Sequence, residues 1–247
     1  MAPPKEETTA EETNETNSTT QIFSWEDCQR IIGRLSLPLI TLSLSSLNSR
    51  CPLETRALNE LRRYPANRIR YKAWAREIRS NYETVPNYVS IERLGWGPLA
   101  GCTAPASSTA PSSGLAPRGK TLLADPSDYK LLWNDWPYGS IAPGIAHLIL
   151  WSKVPFEADR ATGILDPPSQ AIVKDFIERE IVQRLVRTEG VSADDARSRT
   201  LWFKNGEALQ SVRALEHIHL LLKDAPQTVL VELTGDEGPS GPGALLE

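Results

Sequence analysis

The stretch Leu201 to Lys223, LWFKNGEALQSVRALEHIHLLLK, holds two of the three histidines in the chain and decides how the rest is read. Taken as a strand, Glu216 to Leu222 sends His217 and His219 to one face and Ile218, Leu220 and Leu222 to the other, because side chains alternate along extended backbone. The two imidazoles then stand about 6 to 7 Å apart on one wall. A helical reading also exists, since Leu209, Val212, Leu215, His219 and Leu222 recur at helical spacing and would part the histidines. The residues after it favour the strand: Asp224-Ala225-Pro226-Gln227 reads as a turn into a last strand, Thr228 to Leu233, and so as a hairpin.

Working outward, Thr200 to Lys204, Tyr129 to Trp133 and Ala146 to Trp151 read as further strands, the last two joined by Asn134-Asp135-Trp136-Pro137-Tyr138-Gly139. Asp166-Pro167-Pro168-Ser169 introduces a helix from about Gln170 to Arg187, with Val173, Phe176, Ile177, Ile181 and Leu185 on one face to cover the sheet. Towards the N-terminus, Ser24 can cap a helix through Leu35, and Leu53 to Asn81 is helical in pattern with Pro65 dividing it. The expected fold is α+β, an antiparallel sheet covered by at least one helix behind an N-terminal helical segment. The expected organisation is an acidic tail (1–22) without a core, a helical segment (23–97), a low-complexity loop (98–120), an α+β core (121–234) and a loose Gly/Pro-rich tail (235–247). The leucine- and serine-rich run near residues 36–55 reads as a strand or as an insertion.

Composition bounds the function. In 247 residues, 40% are hydrophobic, enough for one sizeable core. A net charge of −4 argues against a surface built to cover phosphate backbones, so no nucleic-acid partner is expected. Cys28, Cys51 and Cys102 are odd in number and widely spaced, which suggests neither a disulfide framework nor a zinc knuckle. The N-terminus has no basic and apolar leader pattern, and no run is long and apolar enough to span a bilayer. A cytoplasmic protein without a membrane partner is the expectation. The arginines and lysines between Arg62 and Arg79 read as a solvated helix face. Gly114-Leu-Ala-Pro-Arg-Gly119-Lys120-Thr121 matches a phosphate-binding loop in letters, but no buried strand precedes it and no helix comes after it, so it is read as coincidence.

Three chemistries compete for the histidines. One neutral imidazole can attack phosphorus while the other, or a backbone carbonyl, fixes its tautomer. His217, His219 and His147 can instead hold a metal such as zinc if a carboxylate or water completes the set. Or all three are satisfied sheet residues. Asn205, Gln210 and Ser211 supply amide and hydroxyl donors suited to phosphate oxygens, and Lys153 closes the strand that carries His147. Trp133, Trp136, Tyr138, Trp151 and Trp202 read as core before they read as a stacking platform.

With Tyr129-Lys-Leu-Leu-Trp-Asn-Asp-Trp-Pro-Tyr-Gly139, His147-Leu-Ile-Leu-Trp-Ser-Lys153, Trp202-Phe-Lys-Asn205 and Ser211-Val-Arg-Ala-Leu-Glu-His-Ile-His219 in view, the chain resembles the fungal family named after N-acetylglucosamine-induced protein 1. Tyr71-Lys-Ala-Trp74 and Leu94-Gly-Trp96 add support, and the likeness runs over about residues 24 to 223. It implies a cytosolic fungal protein tied by the family name to amino-sugar response, and it brings no catalytic residues. The chain also resembles, in part, the histidine-triad nucleotide hydrolases and transferases. The counterparts are His147 to Lys153, Asn205-Gly206, Gln210-Ser211-Val212 and His217-Ile-His219. The third histidine is missing, with Leu215 and Leu221 at the alternating positions.

The expected site therefore has His217 and His219 as catalytic candidates, with His147, Lys153, Asn205, Gln210 and Ser211 as ligand contacts. No resident metal or cofactor is expected. The expected ligand is a phosphorylated small molecule, a nucleotide or nucleotide-sugar. Turnover would be phosphoryl or nucleotidyl transfer through a histidine, and the alternative is a non-catalytic regulatory or accessory protein of a metabolic pathway.

Overall fold

The computed structural model describes residues 22–33, 61, 65–106, 108, 115–241 and 243. The acidic tail up to residue 21, the 36–55 run and Cys51 lie outside the described residues.

A four-stranded antiparallel sheet organises the chain, in the order β1-β2-β4-β3. Its strands are β1 (Tyr129–Trp133), β2 (Ile145–Ser152), β3 (Thr200–Phe203) and β4 (Glu216–Lys223). The two central strands, β2 and β4, are buried over most of their length on both faces. Register pairs Leu148 with Leu220 and Leu150 with Ile218 on one face, and Ile149 with His219 and Trp151 with His217 on the other.

Helices cover both faces. In chain order they are α1 (Trp25–Gly33), α2 (Pro65–Tyr82), α3 (Val85–Tyr88), α4 (Pro167–Ile177), α5 (Gln183–Glu189), α6 (Ala193–Ser198) and α7 (Gln227–Thr234). A five-residue π-helical turn, Glu178–Val182, joins α4 to α5 without a break in the helix. The leucine face of the sheet packs on Val173, Phe176, Ile181 and Leu185 of this long helix and on Val229 and Leu230 of α7. Asp166 caps α4 by accepting from the Ser169 amide at 2.8 Å, with Pro167 and Pro168 at the positions where a missing N–H costs nothing.

The opposite face meets the N-terminal helices. Leu132, Ile149 and Trp151 pack with Ala75, Ile78, Val85 and Val89, while Leu221 and Phe203 pack with Cys28, Ile31 and Ile32 of α1. Ser24 begins α1 as expected, its hydroxyl accepting from the Asp27 amide at 3.2 Å. Pro65 opens α2 rather than interrupting it.

One expected strand is a helix. Thr228 to Leu233 lies inside α7, so the expected hairpin does not form, and among the described residues the sheet has four strands. Asp224, at φ +48, turns the chain out of β4, and Gly235, at φ +79, ends α7 in the left-handed conformation that glycine adopts without cost. The buried pair Val229 and Leu230, with Leu233 three residues on, is a helical spacing that the preceding Pro226 masks as a turn signal. The described part of the C-terminal tail lies against the β1–β2 loop, where the Gly243 amide donates to the Asp135 carbonyl at 3.0 Å.

The stretch that resembles a phosphate loop binds a carboxylate of its own. The amides of Arg118 and Gly119 donate to the two oxygens of Asp128 at 2.9 and 2.8 Å. Those are the donors a phosphate would need, and they are already engaged.

Candidate functional site

β2 and β4 place all three histidines on the same face of the sheet, each of them buried. Antiparallel pairing sets His217 opposite Trp151 and His219 opposite Ile149, and His147 reaches His219 diagonally. The His147 Nε2 and His219 Nδ1 atoms are 2.9 Å apart. Asn205 brings its side-chain nitrogen within 3.0 Å of His219 Nε2 and within 3.0 Å of the Tyr138 hydroxyl. An amide nitrogen only donates, so His219 Nε2 accepts, and its proton sits on Nδ1 and points at His147. Phe203 stacks on the His219 ring with 4.9 Å between centroids, from the neighbouring strand. This cluster is polar, buried and hydrogen-bonded in series, the condition under which buried polar groups are tolerated.

His217 is held differently. Its Nδ1 donates to the carbonyl of Leu215, two residues earlier, at 2.9 Å. That bond fixes the tautomer and leaves Nε2 with its lone pair. Burial pushes the imidazole down to about 4, so at neutral pH the ring is uncharged. Trp151 packs against it at 4.8 Å between centroids, and the His219 ring stands edge-on at 5.6 Å.

Both His217 and His219 line a cavity of about 530 Å³ between the sheet and the N-terminal helices. Ile149, Leu132 and Trp151 form its apolar floor, and Tyr71 and Trp74 of α2 with Trp136 form an aromatic wall. The Trp136 ring lies 5.3 Å from both Tyr71 and Trp74. Asn134, Asn205 and Ser211 supply polar groups. Of the two cations in its lining, Arg93 is held by Asp135, with 3.0 Å from Nε to Oδ2 and 2.8 Å from Nη2 to Oδ1. Arg68, exposed at the rim, has no ion-pair partner among the described residues. Burial raises the Asp135 carboxyl above its usual range even with Arg93 beside it.

The expected residues divide accordingly. His217, His219, Asn205 and Ser211 line the cavity. His147 joins them through His219 but lines a neighbouring cavity of about 720 Å³ on the other side of the Asn134 to Tyr138 segment. Gln210 stands behind, its amide donating to the Asn205 carbonyl at 2.6 Å and so bracing that loop. Lys153 lies outside both cavities; its ammonium sits 3.9 Å from Asp128 and 5.3 Å from the Trp96 ring. The rise along β2 explains this, because six residues of extended chain carry Lys153 roughly 20 Å from His147. Among the described residues no group of three His, Cys, Asp or Glu side chains is arranged to hold a metal ion.

Sequence reasoning missed the roof. Tyr71, Trp74 and Arg68 share one side of α2, and their i, i+3, i+6 spacing is the signal that could have found them beside the polar run of the helix. Trp133, Trp136, Tyr138 and Trp151, read as core, all line the cavity, whereas Trp202 packs on the other face of the sheet.

A family model described as protein of unknown function (DUF3605) matches residues 48–223, most of the chain. The chain belongs to that family. Its curated relatives include the Candida albicans (strain SC5314 / ATCC MYA-2876) "N-acetylglucosamine-induced protein 1", 32% identical over 114 residues, which are 45% of this chain and 41% of the relative. Another is the Saccharomyces cerevisiae (strain ATCC 204508 / S288c) "Uncharacterized protein YPL067C", 32% identical over 94 residues, 38% of this chain and 43% of the relative. The matches thus span less than half the length of either relative. Among solved structures, the crystal structure of HTC1 is similar with a TM-score of 0.48 and 22% identity, covering 79% of this chain and 90% of that one. This member of the DUF3605 family has fungal relatives and an α+β fold, and none of its described helices is long and apolar enough to cross a membrane.

Proposed function

We propose that the cavity binds a phosphorylated small molecule, a nucleotide or nucleotide-sugar, and presents His217 to it. The observation that carries this reading is the His217 ring: uncharged, fixed in one tautomer by the Leu215 carbonyl, and placed on the wall of an aromatic-lined cavity. Stacking surfaces of tyrosine and tryptophan suit a flat base, Asn205 and Ser211 suit ribose or phosphate oxygens, and Arg68 at the rim supplies positive charge. Lys153, Gln210 and His147, expected as ligand contacts, drop out of this reading because none of them lines the cavity.

Where turnover occurs, His217 Nε2 attacks the phosphorus. The N–P bond forms as the bond to the leaving oxygen breaks, and water then hydrolyses the phosphoimidazole and returns the free base. A second reading, a binding protein without turnover, is favoured by one feature. The nearest ring, His219, already uses its nitrogens on Asn205 and His147, so no described imidazole stands ready to protonate a leaving group at His217. The reducing cytoplasm is the proposed location, in keeping with the free thiols of Cys28 and Cys102.

The test is calorimetric titration of the full chain with nucleoside monophosphates and nucleotide-sugars, with product analysis in the same samples. His217→Ala should abolish turnover and weaken binding by about tenfold, the loss of one good hydrogen bond. Unchanged binding in His217→Ala would remove the ring from the site. Binding without product in the parent protein would select the second reading.

A further inference from the structure

The rim of the cavity continues into a row of like charge. Arg68, Lys72, Arg76 and Arg79 are all exposed on α2. At about 100° per residue they fall within one sector of the helix roughly 80° wide, beside the buried face formed by Tyr71, Trp74, Ala75 and Ile78. From Arg68 to Arg79 the row rises roughly 16 Å. None of the four has a carboxylate partner among the described residues, and Glu77 is the only acid on the helix.

From α4 to the start of β3, four of the five arginines are paired, exposed Arg187 being the exception. There Arg179 holds Asp175, Arg184 holds Glu232, Arg197 holds Glu178 and Arg199 holds Glu189, each within 2.7 to 3.1 Å. The chain has a net charge of −4, yet no carboxylate among the described residues pairs with the α2 row. Like charges spaced one helical turn apart cost helix stability unless something anionic lies along them. The row begins at the one cation of the cavity that Asp135 does not claim.

We infer that the ligand of this cavity carries a chain of phosphates, a nucleoside polyphosphate, with its ring in the aromatic cavity and its phosphate chain running out past Arg68 along Lys72, Arg76 and Arg79. This rests on the proposed nucleotide reading and narrows it. A short flexible polyanion fits better than a membrane surface, because Ile69 is the only large exposed apolar side chain on the helix. It also fits better than a protein partner, for which no apolar anchor stands within the row.

Titrations with AMP, ADP, ATP and adenosine 5′-tetraphosphate, and with a twelve-residue single-stranded DNA, decide the matter. Each added phosphate should tighten binding up to about fivefold, the gain shrinking as salt is raised. In the triple variant Lys72→Glu, Arg76→Glu, Arg79→Glu, AMP affinity should be unchanged and the gain lost; none of the three side chains lines the cavity. Equal affinity for AMP and ATP would overturn the inference and leave the nucleotide site standing. Failure of every nucleotide to bind would overturn both. Tighter binding of the DNA than of any free nucleotide, lost in the triple variant, would replace the polyphosphate with a nucleic-acid strand.

Discussion

The two faces of the β2–β4 ladder use the same backbone for opposite ends. On one face Leu148, Leu150, Ile218, Leu220 and Leu222 are fully buried in an apolar core shared with α4, α5 and α7. On the other, one residue along in each case, stand His147, Ile149, Trp151, His217 and His219, in front of a cavity. The period of two in extended chain lets a single eight-residue strand carry a core and a site without compromise between them. The leucine face sets the stability, and that stability supports buried imidazoles and a cavity on the other side.

The largest effect should therefore come from the leucine face. Leu220→Ala deletes a fully buried side chain at the centre of the sheet and should cost about 3 to 4 kcal/mol in urea unfolding. Ligand affinity of the fraction that stays folded should be unchanged. A loss of less than about 1 kcal/mol would mean the two faces are not divided as described.

A smaller effect, and one found only on the histidine face, is a pH dependence. His217 titrates at about 4 in the folded protein and at about 6.5 when unfolded. The folded value is the lower one, so the unfolded chain binds more protons between the two values. Stability from this ring is complete above about pH 6.5 and is lost as the pH falls towards 4. The full difference is about 3 kcal/mol. Unfolding free energies measured from about pH 8 to pH 4 should drop over that window in the parent protein. The same drop should be absent in His217→Asn, and an identical slope in both would refute the assignment.

How far the sequence carries this contrast can be judged residue by residue. The strand reading of Glu216 to Leu222, the shared face of His217 and His219, and the placing of Asn205 and Ser211 beside them all come from alternation and local order. These are short-range properties. The α7 segment reads as a strand because a proline-containing turn after a strand looks the same in sequence whether a helix or a strand comes next. The spacing of Arg68, Tyr71 and Trp74 puts them on one side of α2, but what that side faces is not legible. Tyr71, Trp74 and Arg93 meet Asp135 and Trp136 across tens of residues of chain, and no periodicity encodes that meeting. Leu221 is instructive in the same way. It shares the face of His217 and His219, where a further alternating histidine would stand, but it is fully buried against Cys28, Ile31 and Ile32 of α1. An imidazole there would meet hydrocarbon with no partner. α1 marks where the site ends and a second apolar core begins.

The smallest energetic effect should also be the most informative about the histidine face. Asn205 donates to both Tyr138 and His219, and its removal should cost about 1 to 3 kcal/mol, the penalty for leaving buried acceptors unmet. With three histidines in the whole chain, long-range ¹H–¹⁵N correlation spectra can resolve every imidazole. The hydrogen bonds require that His217 carry its proton on Nδ1, towards Leu215, and that His219 carry its own on Nδ1, towards His147. In Asn205→Ala the His219 signals should move, since Nε2 has lost its donor and the ring can take the other tautomer. The His217 signals should stay, since the Leu215 carbonyl is untouched. A His219 already protonated on Nε2 in the parent protein would reverse the direction of the Asn205 contact and break the serial network. The division of labour between the two rings, one held by side chains and one by backbone, would then have to be drawn again. If instead only His219 responds, the backbone bond alone keeps His217 open to the cavity, which is the property the proposed chemistry requires.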